Sequence, residues 1–460
     1  MERGKGTAWL ASGGSFPSYQ RRVMKERICV VGAGRSGAVA AACLAELGHR
    51  VCAVDLDVAS VAQLREGRAP FSEPGLDELI ERNLRAGRLS FATALSEGVP
   101  AAHFVLLSVG TPAQGNGEAD LSALHAAVRE LAPLLAEKAL VVTRSTVPVG
   151  TNASLADDIR AQNPQAAFDV VANPEFLREG HAVEDFLRPE RIVIGARSAE
   201  AAQAVARLYD GIDGPVVITD LETAEMIKYA ANAYLAASIS FINEIANICE
   251  RVGADVSQVA RALALDRRIG EHAYLKAGIG FGGSCLPKDL RALIATAERH
   301  QYQPAMLRAI AQVNELQPRR LLARVREVLG ELAGLRIAVL GISFKGDTFD
   351  PRSSPALALI QLLAQEGARL RTFDPLADET VKDAVGSLAE LLPDAYRAAE
   401  GCRAVIVATD HSQFRELDLE RLGQGMAARV LIDGRNLYDP DVVARAGFSY
   451  VGIGRPWRAD

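Results

Sequence analysis

A cysteine, a lysine and an aspartate lie close together in the sequence "GIGFGGSCLPKDL", residues 278–290. Cys285 follows a run with four glycines, and Lys288 and Asp289 come within one helical turn after it. A cysteine becomes a nucleophile when solvent access, a nearby cation and a helix N-terminus stabilise its thiolate. The glycines predict access, Lys288 is the cation, and Pro287 suits the first turn of a helix. Together they favour a reactive thiol.

Two other interpretations of Cys285 are weaker. A cysteine in an apolar helix is ordinarily buried and inert, but this segment is not apolar. A metal ligand would need other cysteines or histidines nearby, and the segment has none, so we predict no metal site. The other cysteines lie in apolar strand or helix segments, which indicate inert side chains: Cys29, Cys43, Cys52, Cys249 and Cys402.

A second pattern that can do chemistry is G-x-G-x-x-G, formed by Gly32, Gly34 and Gly37. It follows the apolar strand "ICVV" and opens a helical segment, so a pyrophosphate could bind at the helix N-terminus. Asp55 ends the next strand, where a carboxylate accepts hydrogen bonds from a ribose diol and repels a 2′-phosphate. The context favours an NAD site over a purely structural glycine turn.

Hydroxyl side chains follow two further predicted strands, Thr111 in "VGTP" and Ser145 and Thr146 in "RSTVP". Sheets of this class bind ligands beyond the carboxyl ends of their strands. The hydroxyl groups could therefore face the cofactor, or they could only cap helices. The residues alone leave both alternatives open.

An NAD site combined with a nucleophilic thiol narrows the reaction. Oxidation of an alcohol needs a base or a metal but no thiol, whereas oxidation of an aldehyde to an acid benefits from one. The thiolate adds to the carbonyl, a hydride leaves the thiohemiacetal, and water cleaves the resulting thioester.

These residues are positioned by alternating apolar strands and helices, which predict an α/β protein with parallel sheets. Residues 222–252 contain neither glycine nor proline and have apolar residues at helical spacing, which predicts one long central helix. We expect two Rossmann-like doubly wound domains joined by a helical block. The predicted divisions are an NAD-binding domain (26–220), a central helical domain that carries the cysteine (221–330) and a Rossmann-like nucleotide-sugar-binding domain (331–460).

Composition limits the classes of partner. The net charge of −6 over 460 residues argues against non-specific nucleic-acid binding. No apolar run approaches the roughly 20 residues that cross a bilayer, so no membrane partner is expected. Six scattered cysteines indicate a reducing compartment, and we expect the cytoplasm. Residues 1–25 lack the apolar core of a signal peptide and are predicted to be a disordered leader, with Met24 as an alternative start.

Longer motifs resemble one family. "NPEFLREGHAVEDFLRPERIVIG", "EMIKYAANAYLA", "DRRIG", "GFGGSCLPKD", "FKGDTFDPRSSP" and "DGRNLYDP" are similar to motifs of the UDP-glucose/GDP-mannose 6-dehydrogenase family, over residues 26–440. The resemblance implies a four-electron oxidation of a sugar C6 alcohol to a carboxylate with two NAD. "FLRPERIVIG" and "DGRN" are more similar to the UDP-glucose branch, with GDP-mannose or another nucleotide sugar as the alternative substrate.

The resemblance also implies catalytic roles. Cys285 resembles the family nucleophile, and Lys228 resembles the lysine that stabilises a developing oxyanion or assists proton removal. Asn232, four residues later on the same helical face, resembles its companion. Asp289 resembles the carboxylate that orders the catalytic water, and Glu179 the base for thioester hydrolysis. The alternatives are a solvated helix start for Glu179 and a solvated face for Lys228.

The remaining implied assignments concern binding. Those on the cofactor side are Gly32, Gly34, Gly37, Asp55, Thr111, Thr146, Lys288 and Arg352, and Thr146 is also a catalytic candidate. Those on the substrate side are Glu175, Phe176, Leu177, Arg178, Glu179, Lys228, Asn232, Arg268, Tyr274, Leu275, Lys276, Ala277, Gly278, Gly282 and Lys345. Arg268 resembles an arginine that reaches the neighbouring subunit's site, and an exposed surface arginine is the alternative. The long central helix is expected to join the two domains and to form the interface of a homodimer or higher homo-oligomer.

Three residues depart from the family pattern. Arg35 and Ser36 stand inside the glycine motif, where the family usually has an aromatic residue and valine. Ser60 stands where a lysine often follows the ribose aspartate. These departures affect cofactor affinity, and Arg35 is a candidate contact for the pyrophosphate. Outside this family, the alternatives are a single-step hydroxyacid dehydrogenase and a non-catalytic NAD-binding regulator.

Overall fold

A computed structural model describes residues 25–456. The chain forms two compact units that divide between Ala230 and Ala231. Except for Lys25, the predicted leader lies outside the described residues. No helix in the described range is long and apolar enough to span a lipid bilayer.

The first unit contains an eight-stranded sheet. Its strands are β1 (Arg27–Val31), β2 (Arg50–Val54), β3 (Leu89–Ala92), β4 (Phe104–Leu107), β5 (Ala139–Thr143), β6 (Phe168–Ala172), β7 (Ile192–Ala196) and β8 (Val216–Thr219). Their order is β3-β2-β1-β4-β5-β6-β7-β8. All neighbouring strands are parallel except β6 and β7. The predicted parallel sheet is confirmed, with one antiparallel step that the sequence did not reveal.

Helices cover both faces of this sheet, with separate apolar clusters on each side. They are α1 (Arg35–Glu46), α2 (Val58–Arg65), α3 (Leu76–Arg85), α4 (Leu95–Gly98), α5 (Ser122–Leu131), α6 (Thr151–Gln162), α7 (Ala182–Leu187) and α8 (Ala199–Arg207), with short 3-10 turns at Val99–Ala101 and Ala132–Leu134. The small side chains of α1 are almost fully buried, so this helix packs closely on the sheet.

The register of the sheet brings the cofactor motif together. Val31, the last residue of β1, pairs with Val54 of β2 and with Leu107 of β4. The residues that follow these strands therefore meet at one edge, which places the glycine turn beside Asp55 and Ser108. This is the edge at which doubly wound sheets bind ligands.

The chain leaves the first sheet through α9 (Leu221–Val252), a continuous helix of 32 residues. The absence of glycine and proline predicted this helix, and the prediction is confirmed within one residue at its start. Both Lys228 and Asn232 lie on α9.

The second unit contains a six-stranded sheet in which all neighbouring strands are parallel. Its strands are β9 (Arg336–Leu340), β10 (Arg369–Phe373), β11 (Ala389–Leu391), β12 (Ala404–Val407), β13 (Val430–Asp433) and β14 (Ser449–Gly452). Their order is β11-β10-β9-β12-β13-β14. The helices are α10 (Val256–Ala264), α11 (Leu286–Arg299), α12 (Ala305–Leu329), α13 (Pro355–Gln365), α14 (Glu379–Val385), α15 (Ala395–Ala399), α16 (Ser412–Arg415), α17 (Leu419–Gln424) and α18 (Pro440–Arg445). The two predicted Rossmann-like sheets are confirmed; the three-domain boundaries at residues 221 and 331 stay a prediction.

The second sheet repeats the first glycine turn in altered form. Gly341 follows β9 with φ +91°, the same value as Gly32 after β1. Asp374 follows β10 and accepts from the backbone N–H groups of Ile342 (2.8 Å) and Ser343 (3.0 Å). Its Oδ2 also accepts from the Ser343 hydroxyl (3.1 Å) and lies 3.2 Å from His411 Nε2. Burial alone would raise the pKa of Asp374, but these hydrogen bonds and His411 lower it.

Candidate active site

Each of the three glycines of the first motif is required, or tolerated, for a different structural reason. Gly32 has φ +91°, and a Cβ there would lie 2.7 Å from the Ser108 carbonyl oxygen. A Cβ on Gly37 would lie 1.8 Å from the Gly32 carbonyl oxygen, so only glycine lets α1 approach the turn. A Cβ on Gly34 would meet no atom within 4 Å. The open space at Gly34 is where the motif allows a ligand to approach.

The start of α1 fits a dinucleotide. Gly34 caps the helix without a side-chain hydrogen bond, and the first turn has no acidic residue, so its N–H groups suit a pyrophosphate. Asp55 is half-buried at the end of β2; its Oδ2 accepts from the Ala33 N–H (2.7 Å) and its Oδ1 from the Asp57 N–H (3.0 Å). A carboxylate has about four lone-pair sites, so Asp55 retains capacity for a ribose.

The hydroxyl groups at the strand ends join the loops of the sheet edge. The Thr111 hydroxyl donates to the Thr146 carbonyl oxygen (2.8 Å), and the Ser145 hydroxyl donates to the Val109 carbonyl oxygen (2.6 Å). Neither forms a helix cap, since α5 begins at Ser122 and α6 at Thr151. A cofactor contact by Thr111 or Thr146 stays a prediction.

Ser60 and Arg35, which depart from the family pattern, both form hydrogen bonds with neighbouring groups. The Ser60 hydroxyl donates to Asp57 Oδ2 (2.6 Å) in the first turn of α2, and this hydrogen bond lowers the pKa of Asp57. The guanidinium of Arg35 donates to the Ser72 carbonyl oxygen (3.1 Å). Ser60 therefore completes a helix cap.

Lys228 lies in the first unit beside the segment after β6. Only 4% of Lys228 is exposed, and its Nζ lies 3.7 Å from Glu175 Oε1. Two cations lie over the Phe176 ring: Lys228 Nζ is 5.2 Å and the Arg191 guanidinium is 3.9 Å from the ring centroid. The burial excludes the solvated alternative for Lys228. A buried ammonium can stabilise an oxyanion through its charge and its N–H donors.

The segment from Leu177 to Ala182 is fixed by carboxylates. The Leu177 N–H donates to Glu175 Oε2 (2.6 Å), and Arg178 donates to Asp185 through its backbone N–H (2.7 Å) and its guanidinium. The buried Glu73 accepts from the N–H groups of Gly180 (2.9 Å) and Ala182 (2.7 Å). Glu179 is half-buried within this fixed segment, so the solvated alternative does not hold for it.

The thiol segment lies in the second unit. Cys285 is exposed and caps the N-terminus of α11, with Pro287 in the first turn, as the sequence predicts. A Cβ on Gly282 would lie 2.3 Å from the Ser353 carbonyl oxygen, and one on Gly283 would lie 2.8 Å from the Phe344 ring. These glycines therefore allow close packing of the loop. The result is an accessible sulfur on a firmly packed turn at a helix N-terminus, where a thiolate is favoured.

The other thiols are poor nucleophiles. Burial raises the pKa of Cys43 to about 12 and that of Cys402 to about 11. Burial also raises the pKa of Cys29, Cys52 and Cys249. The prediction that these five are inert core cysteines agrees with their surroundings.

Asp289 is the buried carboxylate next to the thiol in sequence, with 1% of the residue exposed. Its Oδ2 accepts from Asn232 Nδ2 (2.5 Å) and its Oδ1 from Lys288 Nζ (2.5 Å). The structure thus brings three predicted site residues of the second unit together. The amide and the ammonium orient the carboxylate, since each donates to a different one of its oxygens.

The predicted substrate segment, residues 274–278, is held at its C-terminal end. The Gly278 N–H donates to Asn243 Oδ1 (2.8 Å), and the Gly278 carbonyl oxygen accepts from Gln317 Nε2 (3.1 Å). Ala277 is buried and Leu275 half-buried, whereas Tyr274 is exposed in a left-handed backbone conformation at φ +55°. The segment is therefore held at Gly278, and Tyr274 at its other end is exposed.

The predicted cationic residues of the second unit differ in their surroundings. Lys276 Nζ lies 3.0 Å from Asp410 Oδ2, and Lys345 Nζ lies 5.7 Å from the Phe344 ring centroid. Arg352 forms a forked pair with Asp350, and Arg268 pairs with Asp266. The Arg268 side chain is 88% exposed, which agrees with a surface position and leaves its intersubunit role a prediction.

In the part of the chain that the structure describes, no three or more histidine, cysteine or acidic side chains form a group that could hold a metal ion. Three family models match, one after another: the NAD binding domain at residues 26–213, the central domain at 222–316 and the UDP binding domain at 338–440.

The chain belongs to the UDP-glucose/GDP-mannose dehydrogenase family. It is an NAD-dependent oxidoreductase, as the sequence predicts. A UDP-glucose 6-dehydrogenase of Rhizobium meliloti is 44% identical over 94% of this chain and 100% of its own. The UDP-glucose 6-dehydrogenase TuaD of Bacillus subtilis is 43% identical over 94% of each chain.

Solved structures similar to this chain include members of the same family. A UDP-glucose dehydrogenase from Pyrobaculum islandicum matches with a TM-score of 0.89 at 38% identity, over 96% of this chain and 100% of the other. A GDP-mannose dehydrogenase from Pseudomonas aeruginosa matches with a TM-score of 0.52 at 30% identity, over 93% and 99%.

Sequence reasoning missed several residues that organise the site of this family member. Glu73 and Arg191 in the first unit act on the segment after β6 from distant positions. Arg435 in the second unit is half-buried, and it donates to the carbonyl oxygens of Ala408 (2.9 Å), Gly280 (3.1 Å) and Phe344 (3.0 Å). The signal available for Arg435 was its place just after a buried strand, in the motif "DGRN".

Proposed function

We propose that the chain oxidises the C6 alcohol of UDP-glucose to the carboxylate, giving UDP-glucuronate, through a covalent adduct on Cys285. The observation that carries this proposal is the exposed thiol at the N-terminus of α11, one helical turn before the buried Asp289 and its two donors. The names of the relatives and the family's UDP binding domain support UDP-glucose as the substrate.

The reaction consists of two oxidations and one hydrolysis. In the first, C6 loses a hydride and its hydroxyl loses a proton, which leaves an aldehyde. The Cys285 thiolate then adds to the aldehyde carbon and forms a thiohemiacetal, which loses a second hydride and becomes a thioester. Water adds to the thioester carbonyl, the carbon–sulfur bond breaks, and the thiolate is regenerated with the acid product. NAD, when bound, supplies the acceptor for each hydride, so two NADH form per sugar.

The proposed roles of the individual residues are those that the family resemblance implies. Lys228, dry and positively charged, stabilises the oxygen that gains negative charge and assists its deprotonation. Asn232 and Asp289 form a hydrogen-bonded pair that orients polar groups and orders water. Glu179 accepts the proton of the attacking water. Thr146, whose carbonyl oxygen is held by Thr111, is the further candidate for contact with cofactor or reacting carbon.

The stoichiometry of NADH tests this function. UDP-glucose, GDP-mannose and UDP-N-acetylmannosamine are offered separately, and both NADH and acid product are counted per sugar. We expect two NADH and one acid from UDP-glucose, and loss of acid product in Cys285→Ser. The matched control is Cys52→Ser, a half-buried thiol in the first sheet, which keeps normal turnover. A Cys285→Ser variant that completes both oxidations at the normal rate refutes the covalent mechanism, and faster turnover of GDP-mannose changes the substrate assignment.

We also propose a homodimer through α9. Tyr234, Phe241 and Ile248 are spaced seven residues apart on this helix, and 66%, 50% and 50% of them are exposed. Seven-residue spacing of apolar side chains suits packing against a second helix. Phe241→Glu should convert the dimer to a monomer in light scattering, whereas Glu244→Gln on the same helix should not. An unchanged mass in Phe241→Glu contradicts this interface.

The proposed setting is the cytoplasm. All six cysteines are free, in agreement with a reducing compartment. Fractionation of cells that produce the tagged chain should find it with cytoplasmic markers; recovery with an oxidising compartment contradicts the proposal.

A further inference from the structure

Arg35 connects the glycine turn to the segment that carries Glu179. It is the first residue of α1 and follows Gly34 directly. Its Nη2 lies 3.1 Å from Glu179 Oε1, and its Nη1 lies 3.9 Å from Glu73 Oε2. The guanidinium also lies 4.8 Å from the centroid of the Phe71 ring. An arginine of the cofactor turn is thus paired with the proposed base for hydrolysis.

Glu73 and Glu179 contribute to this pairing in different ways. The Glu73 side chain is fully buried and accepts two backbone N–H groups of the Glu179 segment, so its carboxylate holds the backbone in place. The Glu179 side chain is 11% exposed and contacts Arg35 side chain to side chain. Glu73 therefore fixes the backbone of this segment, whereas Arg35 contacts the carboxylate of Glu179.

A bound dinucleotide brings a competing anion to Arg35. The start of α1 is the phosphate-binding end of the NAD binding domain, and Arg35 stands in its first turn. A diphosphate carries two negative charges and a guanidinium binds phosphate oxygens in a forked geometry. The Arg35 side chain is 24% exposed, so it has room to turn toward solvent and ligand. The diphosphate and Glu179 therefore compete for one cation.

We propose that Arg35 is a positioning residue that couples the cofactor diphosphate to Glu179. Without cofactor the guanidinium holds the Glu179 carboxylate; with the diphosphate in place it turns to the phosphate oxygens and releases that carboxylate. The consequence for hydrolysis rests on the proposed function, since it assumes that Glu179 is the base. The coupling itself concerns only cofactor binding.

A double-mutant cycle on NADH binding tests the coupling, with NADH fluorescence as the readout and no substrate present. Arg35→Met should weaken NADH binding about tenfold, the usual effect of losing a charged hydrogen bond. Glu179→Gln should tighten binding about threefold, because it releases Arg35 for the diphosphate. In the Arg35→Met background, the same Glu179→Gln change should alter the Kd by less than a factor of about 1.5.

The controls separate coupling from general charge and folding effects. Arg160→Met and Asp157→Asn remove an exposed ion pair of the same unit (3.1 Å), and they should leave the Kd unchanged singly and together. Arg35→Lys keeps the charge but loses the forked geometry, so an intermediate Kd is expected, and thermal unfolding of every variant verifies the fold.

Equal effects of Glu179→Gln in both backgrounds overturn the proposal, as does an Arg35→Met variant that is folded and binds NADH normally. Because the cycle needs no turnover, it can succeed even if the chain fails to oxidise UDP-glucose. Conversely, normal oxidation with an additive cycle refutes only the coupling.

Discussion

The ion pair of Lys228 and Glu175 allows structure and catalysis to be separated by experiment. The Lys228 Nζ and Glu175 Oε1 atoms are 3.7 Å apart, in surroundings that leave little of either side chain exposed. At an effective dielectric constant of about 20, such a pair attracts by about 4.5 kcal/mol. Removing each ion from water costs several kcal/mol, so the pair adds little net stability. Removing one partner, however, leaves the other charge buried without compensation, which lowers the stability of the fold.

We therefore predict opposite outcomes for single and double substitution. Among the described residues, Lys228→Met leaves the Glu175 carboxylate with the Leu177 N–H as its hydrogen-bond donor, and it should lower the free energy of unfolding by about 2 kcal/mol. In a unit of this size that corresponds to a fall in Tm of about 4–8 °C. Lys228→Met combined with Glu175→Gln removes both charges and should return stability to within about 1 kcal/mol of the parent. Both variants should lose at least about 100-fold in kcat.

Calorimetry gives the stability and NADH absorbance with UDP-glucose gives kcat. Lys382→Met, which removes an exposed lysine 2.6 Å from Glu379, is the matched control and should change neither quantity. The reasoning is refuted if Lys228→Met retains more than about a tenth of the parental kcat. It is also refuted if the double variant regains activity together with stability, since Lys228 would then act only through the fold.

Three other predictions concern the thiol, the cofactor and the effect of pH. Iodoacetamide at about pH 8 should label Cys285 before any other cysteine, because burial raises the pKa of the other thiols; equal labelling in peptide mapping would contradict this. Asp55→Asn should raise kcat/KM for NADP relative to NAD at least about tenfold, because it removes the charge that repels a 2′-phosphate; an unchanged ratio excludes Asp55 from the ribose. Burial alone would raise the pKa of Asp410, but Arg435 and Lys276 hold it well below its usual value. Its stabilising effect is present above the unfolded pKa of about 4 and is lost as the pH falls, so Lys276→Met should cost about 1 kcal/mol at neutral pH and less in acid. A cost independent of pH in denaturant titrations would refute that assignment.

The fold and the two chemical motifs were accessible from the sequence because their signals are local. The glycine spacing requires close backbone approach within a single turn, and the structure places Gly32 and Gly37 in that approach. The helix start at Cys285 was equally predictable, since Pro287 favours a first turn. Local signals also existed for Arg268 and Arg352. Each pairs with an aspartate two residues earlier, a spacing that the sequence prints plainly.

The supporting contacts were not accessible because they join distant parts of the chain. Glu73 accepts from an N–H group 107 residues later, and Arg435 donates to a carbonyl oxygen 155 residues earlier. Neither periodicity nor local spacing encodes such a contact, which depends on how strands are ordered in the sheet. The same applies to Arg35: its place in the motif was visible, but its pairing with Glu179 depends on the loop after β6.

The carboxylate after β10 has a consequence for the two successive oxidations that we propose. Asp374 is buried, and its Oδ2 already accepts from Ile342 and Ser343 and lies 3.2 Å from His411 Nε2. The second sheet therefore has no accessible carboxylate for a ribose at this position. Among the described residues, the G-x-G-x-x-G turn with a half-buried aspartate occurs once. If one cofactor site serves both oxidations, NADH has to dissociate and a second NAD has to bind while the aldehyde intermediate stays on the enzyme. The proposed covalent bond to Cys285 would then also prevent the aldehyde from diffusing away during the exchange of cofactor.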